Sequence, residues 1–170
     1  MTSRVPPGLA RLNSADQPAV AALLHEVCAA GDWVAAVAAG RPYADPARLY
    51  AAAEAALAAL DDAGVAEAMA GHPPIGRPKP GDPVSAREQR GLAGAPEALR
   101  TELLELNLAY QERFGHVFLI CATGLGAERM RDALRARIGN APEREREIAR
   151  GELGKINRIR LTRLVEAEGA

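Results

Sequence analysis

Apolar residues recur along this chain every three or four positions, in runs broken by small clusters of Gly, Pro and Asp. That spacing belongs to amphipathic helices, whereas half-buried strands would alternate. Asn13 and Ser14 are candidate N-caps ahead of Pro18, and AVAALLHEVCAA then sets Val20, Leu23, Leu24 and Val27 on one face. Gly31 ends this run. A short apolar piece, DWVAAVAA, stops at Gly40 and the turn sequence RPYADP. Asp45 suits the cap of a helix with Pro46 at its first position, and Leu49, Ala53, Leu57 and Leu60 share its inner face. The rest of that helix is mostly Ala, which favours helix and lets neighbours approach closely. Gly64 opens a further turn of helix through Met69.

Between Gly71 and Pro83 the texture changes to GHPPIGRPKPGDP, with five Pro and three Gly among thirteen residues. Proline lacks the N–H that regular elements use, so none is expected there. Helix resumes at Ser85, and again after Pro96 with Leu99, Leu103, Leu106 and Tyr110 at helical spacing until Gly115. The six-residue run VFLICA suits either a short buried extended segment or one buried turn of helix. GAERMRDALRARI runs to Gly139-Asn140, and Pro142 opens a last long helix to about Glu166. The pattern predicts an all-α, compact single-domain bundle of about seven to eight helices over 1–170, with residues 1–13 a flexible lead-in.

Composition narrows the function classes. A chain of 170 residues fits one domain. Lys and Arg total 21 against 22 Asp and Glu, a net charge of −1, which lacks the basic footprint of a nucleic-acid binder. One Trp, three Tyr and two Phe are too few for a base-stacking platform. No apolar stretch is long enough to span a membrane, and neither a secretory apolar core at the start nor a lipidation tail at EAEGA is visible. The expectation is a cytoplasmic protein with no nucleic-acid or membrane partner. Cys28 and Cys121 have no disulfide framework or metal-ligand spacing and read as core thiols.

Three places could carry chemistry. His72 stands in GHPPIG, where stiff proline-rich surroundings would hold a titratable ring at little entropic cost, or leave an exposed histidine with no task. In SAREQRGL, Ser85, Glu88, Gln89 and Leu92 share one helical face, and Ser-x-x-Glu is equally a capping box. Arg160 lies four residues from both Ile156 and Leu164 on the stripe that Leu153 begins, so its guanidinium needs an acid or a ligand. Arg158 and Arg163 lie off that stripe, PEREREIAR reads as a solvated helical face, and His25 and His116 read as structural.

Taken together, these pieces resemble the 2-oxo-4-hydroxy-4-carboxy-5-ureidoimidazoline (OHCU) decarboxylase family, from about Ser14 to Val165. The resemblance is carried by His72-Pro73 with Ile75-Gly76, then Ser85-x-x-Glu88-Gln89, LNLAYQERFGHVFLICATG, GAERMRDALRARIGN and KINRIRL. It implies a compact all-α homodimer with no metal or organic cofactor and a small ureidoimidazoline substrate. By the same resemblance His72 and Glu88 are the catalytic pair. Pro73, Ser85, Gln89, Arg160 and the backbone of Phe118, Leu119 and Ile120 then contact substrate, with VFLICA buried beside the site. Pro74 stands where relatives usually carry a polar residue.

The chemistry is consistent with those groups. The substrate bears a carboxylate and a hydroxyl on one ring carbon beside a ring C=N, which can accept the electron pair left by departing CO2. The protein must then orient the scissile bond and manage protons. Arg160 suits two-pronged binding of a planar or anionic group. The expected activity is conversion to (S)-allantoin in urate catabolism. The competing readings are a non-catalytic helical interaction module and a cofactor-free hydrolase or racemase of another ureide.

Overall fold

The computed structural model describes residues 4–73 and 81–167, for 84 and 85 the backbone only. Among the described residues there are nine α-helices, one 3-10 turn and no strand, so the chain is all-α. In chain order the helices are α1 (Pro7–Ser14), α2 (Gln17–Val27), α3 (Gly31–Ala39), α4 (Pro46–Ala58), α5 (Asp62–Ala70), α6 (Pro83–Glu88), α7 (Glu97–Phe114), α8 (Ala127–Arg137) and α9 (Pro142–Glu166). A 3-10 turn at Arg90–Leu92 follows α6. The chain divides into two units, one of Met1–Ala68 with Gly154–Ala170, the other of Met69–Leu153.

In the first unit, the lead-in expected to be flexible contains α1. Its Leu9 and Leu12 are fully buried. Pro7 fits the first helical position, where a missing N–H costs nothing. A Cβ on Gly8 would overlap the Leu164 carbonyl, so only glycine allows the backbone of α1 this close to α9. Asn13 is not a cap: its amide pairs with the backbone of Tyr43, donating to the carbonyl at 2.9 Å and accepting from the N–H at 2.8 Å. Asp16 caps α2 instead, accepting from Ala19 N–H at 2.9 Å. Gly31 begins α3 rather than ending α2, and the Glu67 carboxylate takes its N–H at 2.7 Å. Asp45 caps α4 as its sequence implies, accepting from Arg48 N–H at 2.9 Å. Trp33, Leu24 and Leu49 centre this core, with the Trp33 indole N–H given to Ala53 O at 3.1 Å.

In the second unit, α7 buries Leu99, Leu103 and Tyr110 and ends at Gly115, whose φ of 77° is a left-handed cap that glycine adopts without penalty. The run from Val117 to Ala122 is neither helix nor strand. Phe118 and Ile120 enter one apolar cluster with Leu99, Leu103, Tyr110, Met130 and Leu134. The helix expected from Ser85 begins at Pro83, so Ser85 is its third residue and Asp82 holds the preceding position. The capping-box assignment of Ser85 therefore does not fit this boundary. Most of the proline-rich segment, including Pro74, lies outside the described residues. The last helix starts at Pro142 and ends at Glu166, as the pattern predicts.

Candidate active site

His72 lies two residues beyond the end of α5, and its backbone N–H bonds Met69 O at 3.0 Å, so the chain leaves the helix in a turn that fixes where the ring begins. His72 and Pro73 are half-buried. Glu88 is the last residue of α6 and is 9% exposed; Gln89 beside it is 7% exposed. A carboxylate and an amide so withdrawn from water require polar company. Gln89 O takes Leu92 N–H at 3.0 Å, closing the 3-10 turn. At the centre of that turn a Cβ on Gly91 would overlap the Leu125 carbonyl oxygen. This contact docks the Glu88–Gln89 end of α6 onto the chain that follows Ala122.

Phe118, Leu119 and Ile120 are all buried. Among the described residues none of the three makes a backbone–backbone hydrogen bond. Buried backbone polar groups are nearly always paired, so an irregular buried segment must find partners elsewhere. For Leu119 O the partner is Arg137, whose Nη1 donates at 2.7 Å. The Arg137 guanidinium also lies 4.4 Å from the centroid of the Phe118 ring. Its Nε donates to Glu145 Oε1 at 2.5 Å. The same carboxylate accepts from Tyr110 Oη at 2.8 Å and from Asn140 Nδ2 at 3.1 Å. Glu145 is 0% exposed, so part of PEREREIAR faces inward, contrary to its reading as a solvated face. Burial, and then the hydrogen bond to Glu145, push the Tyr110 hydroxyl far above its ordinary value of 10.0.

His72, Pro73, Glu88, Gln89, Phe118, Leu119 and Ile120 thus belong to the second unit, as does the backbone of Ser85. Arg160 belongs to the first unit. It is half-buried, and its Nη1 donates to Val27 O at 3.1 Å and Glu26 O at 3.4 Å. These carbonyls close α2, where the helix dipole is negative and intrahelical donors are lacking. The charge expected to need an acid or a ligand is therefore met at least in part by main chain. Leu164 is half-buried too, and the buried face of this stretch passes through Ile156, Leu161 and Val165. His25 is exposed, and His116 packs at the edge of Tyr110 with ring centroids 5.6 Å apart, a structural place. Cys28 is buried and Cys121 half-buried, with no disulfide between them. Among the described residues no three His, Cys, Asp or Glu side chains group as metal ligands, and no helix is long and apolar enough to cross a membrane.

Sequence reasoning missed Arg137, Glu145, Tyr110 and Asn140 as a set. The available signal was the inner stripe of α9, which continues from Leu153 back through Ala149 to Glu145 in steps of four.

Comparison with known proteins converges on one family. The model of the OHCU decarboxylase family matches residues 13–162. The uric acid degradation bifunctional protein TTL of Arabidopsis thaliana is 35% identical over 105 residues, which are 58% of this chain and 32% of that protein. This chain therefore matches about a third of that relative's length. The 2-oxo-4-hydroxy-4-carboxy-5-ureidoimidazoline decarboxylase of Amia calva is 35% identical over 141 residues, 78% of this chain and 79% of its own. A crystal structure of an OHCU decarboxylase in the presence of (S)-allantoin superposes with a TM-score of 0.76 at 28% identity, covering 84% of this chain and 96% of that one. With the all-α fold and a family match over most of its length, the chain belongs to the OHCU decarboxylase family.

Proposed function

We propose that this protein decarboxylates 2-oxo-4-hydroxy-4-carboxy-5-ureidoimidazoline to (S)-allantoin, as a cytoplasmic homodimer that acts without a cofactor. Family membership favours the enzyme over a helical interaction module, and over a hydrolase or racemase of another ureide. The observation that carries the reading is the Phe118–Ile120 main chain. It is buried and makes no backbone–backbone bond among the described residues, in the same unit as His72 and Glu88. Main-chain N–H and C=O groups at fixed spacing, not tied into a backbone ladder, suit a ring whose edge alternates amide donors and acceptors.

The reaction then needs few protein groups. As CO2 leaves, its bonding pair passes into the ring and the neighbouring C=N accepts it. The ring nitrogen that receives the pair takes up a proton. The hydroxyl proton is removed as the carbonyl of the product forms, and a proton is delivered to the carbon bearing the ureido group, a net uptake of one proton. His72 and Glu88 are the pair we assign to these transfers, with Ser85 and Gln89 binding beside them. Pro73 limits the freedom of the His72 backbone. Arg160 holds a substrate contact on the resemblance alone, and the homodimer and the compartment are assigned on the same ground.

The test is an assay with freshly generated substrate, following both loss of substrate and optical rotation of product. Because the compound decays unaided, the expected result is a faster rate with one enantiomer in excess. Racemic product at the uncatalysed rate would overturn the assignment.

A further inference from the structure

Arg137 and Glu145 form an ion pair withdrawn from water, with side chains 9% and 0% exposed. Such pairs are poor investments in stability, since the desolvation of both charges offsets their attraction. This one is also incomplete: Arg137 Nη2 is buried and lacks a hydrogen-bond partner among the described residues. A fold optimised for stability alone would favour apolar side chains here.

What the pair holds is more informative. The guanidinium is planar and rigid, so fixing one edge fixes the directions of the others. Glu145 fixes the Nε edge, while Tyr110 from α7 and Asn140 from the turn before α9 fix Glu145. With its plane set, Arg137 meets the Leu119 carbonyl with Nη1 and the Phe118 ring with its face. Two consecutive residues of an irregular segment are thereby located from α8, one through main chain and one through side chain. No helical or sheet ladder does this for them.

We propose that Arg137, oriented by Glu145, is a positioning residue that sets the Phe118–Ile120 main chain in register for substrate. This rests on the reading of that main chain as a substrate contact. Arg137 acts through the segment, so its loss weakens binding of substrate and product more than it slows chemistry.

The experiment uses Arg137→Met and Arg137→Lys in the full chain, with Arg135→Met as the control. Arg135 is on the same helix, largely exposed and paired with Glu102. KM for substrate, kcat, the Kd of (S)-allantoin by calorimetry and folding by circular dichroism are measured for each. In Arg137→Met, KM and Kd are expected to rise together by about tenfold, the scale of a lost charge-assisted hydrogen bond, while kcat falls less than about threefold. Arg137→Lys should recover part of the binding, and Arg135→Met should match the unaltered protein. Unchanged KM and Kd in a folded Arg137→Met protein overturn the proposal, whatever happens to kcat. If Arg137→Met does not fold, Arg137→Lys decides by the same readouts. Loss of fold in both assigns the pair to stability alone and also overturns it. His72→Asn separates the two levels. Full turnover in that variant counts against the site reading itself, whereas an inactive His72→Asn beside an Arg137→Met protein of unaltered KM removes this inference alone.

Discussion

Gly91 touches the carbonyl oxygen of Leu125 so closely that the space a Cβ would need is already filled by main chain. The contact joins the 3-10 turn after Glu88 and Gln89 to the chain beyond Ala122. Gly91→Ala should therefore lower stability by about 1–3 kcal/mol, the usual cost of overpacking, and reduce turnover as Glu88 is displaced. Gly151→Ala is the matched control. It is exposed in the interior of α9 with nothing near its Cβ position, and should raise stability by about 0.5–1 kcal/mol. Denaturant melts of the two variants check both signs; equal stabilities would show that the turn yields freely.

His72→Asn and Glu88→Ala should each reduce kcat by about 10²–10⁴-fold, the range of a lost general acid or base, with the helical circular dichroism spectrum retained. The double variant should be little worse than either single one, because groups acting as a unit are not additive. Additive losses would indicate two independent roles.

Arg160 closes α2 through the carbonyls of Glu26 and Val27. Arg160→Leu removes donor and charge from a negative helix end, so a stability loss of about 1 kcal/mol is expected. Arg160→Lys keeps the charge and most of that stability, yet should raise KM, since an ammonium cannot make a two-pronged contact. Thermal melts read the first effect and steady-state kinetics the second. A lysine variant with unaltered KM would confine Arg160 to helix capping.

Stability should decline in alkali. Burial raises the Cys28 thiol above its ordinary 9.0, and burial with the Glu145 hydrogen bond raises the Tyr110 hydroxyl above 10.0. Both groups are protonated in the folded and unfolded chains at lower pH, where their contribution is complete. Above those values the unfolded chain ionises first, so the contribution is lost as pH climbs towards the folded values. Urea melts between about pH 8 and about pH 11 should show this slope, and Tyr110→Phe should flatten its upper part. An unaltered slope in Tyr110→Phe would assign the alkaline loss to other groups.

Where the sequence carried local punctuation, the fold was legible. Asp45-Pro46 opens α4, Pro96 and Gly115 bracket α7, and Pro142 opens α9, each through chemistry confined to one or two neighbouring residues. Asn13 and Glu145 were misread for the opposite reason. Asn13 pairs with Tyr43, 30 residues away, and Glu145 with Tyr110, 35 residues away. Their short-range surroundings look like a cap and a solvated charge run, and only the fold brings the true partners in. His72 and Glu88, the pair proposed for the site, stand out in the sequence because their side chains carry distinctive chemistry. The clamp on Leu119 does not, because a carbonyl group has the same spelling at every residue.

Recognition through main chain, as proposed for Phe118–Ile120, shapes how such a protein can change over generations. In the proposed site the Phe118–Ile120 run meets substrate through peptide groups, and a point substitution exchanges side chains while leaving peptide groups in place. Apolar residues of similar volume can therefore succeed one another there without altering what a ligand meets, provided the path of the chain is preserved. Selection on this stretch acts through bulk and trajectory, and so falls on distant supports such as Arg137. Drift among relatives should consequently be greater at the contacts themselves than at the residues that hold them.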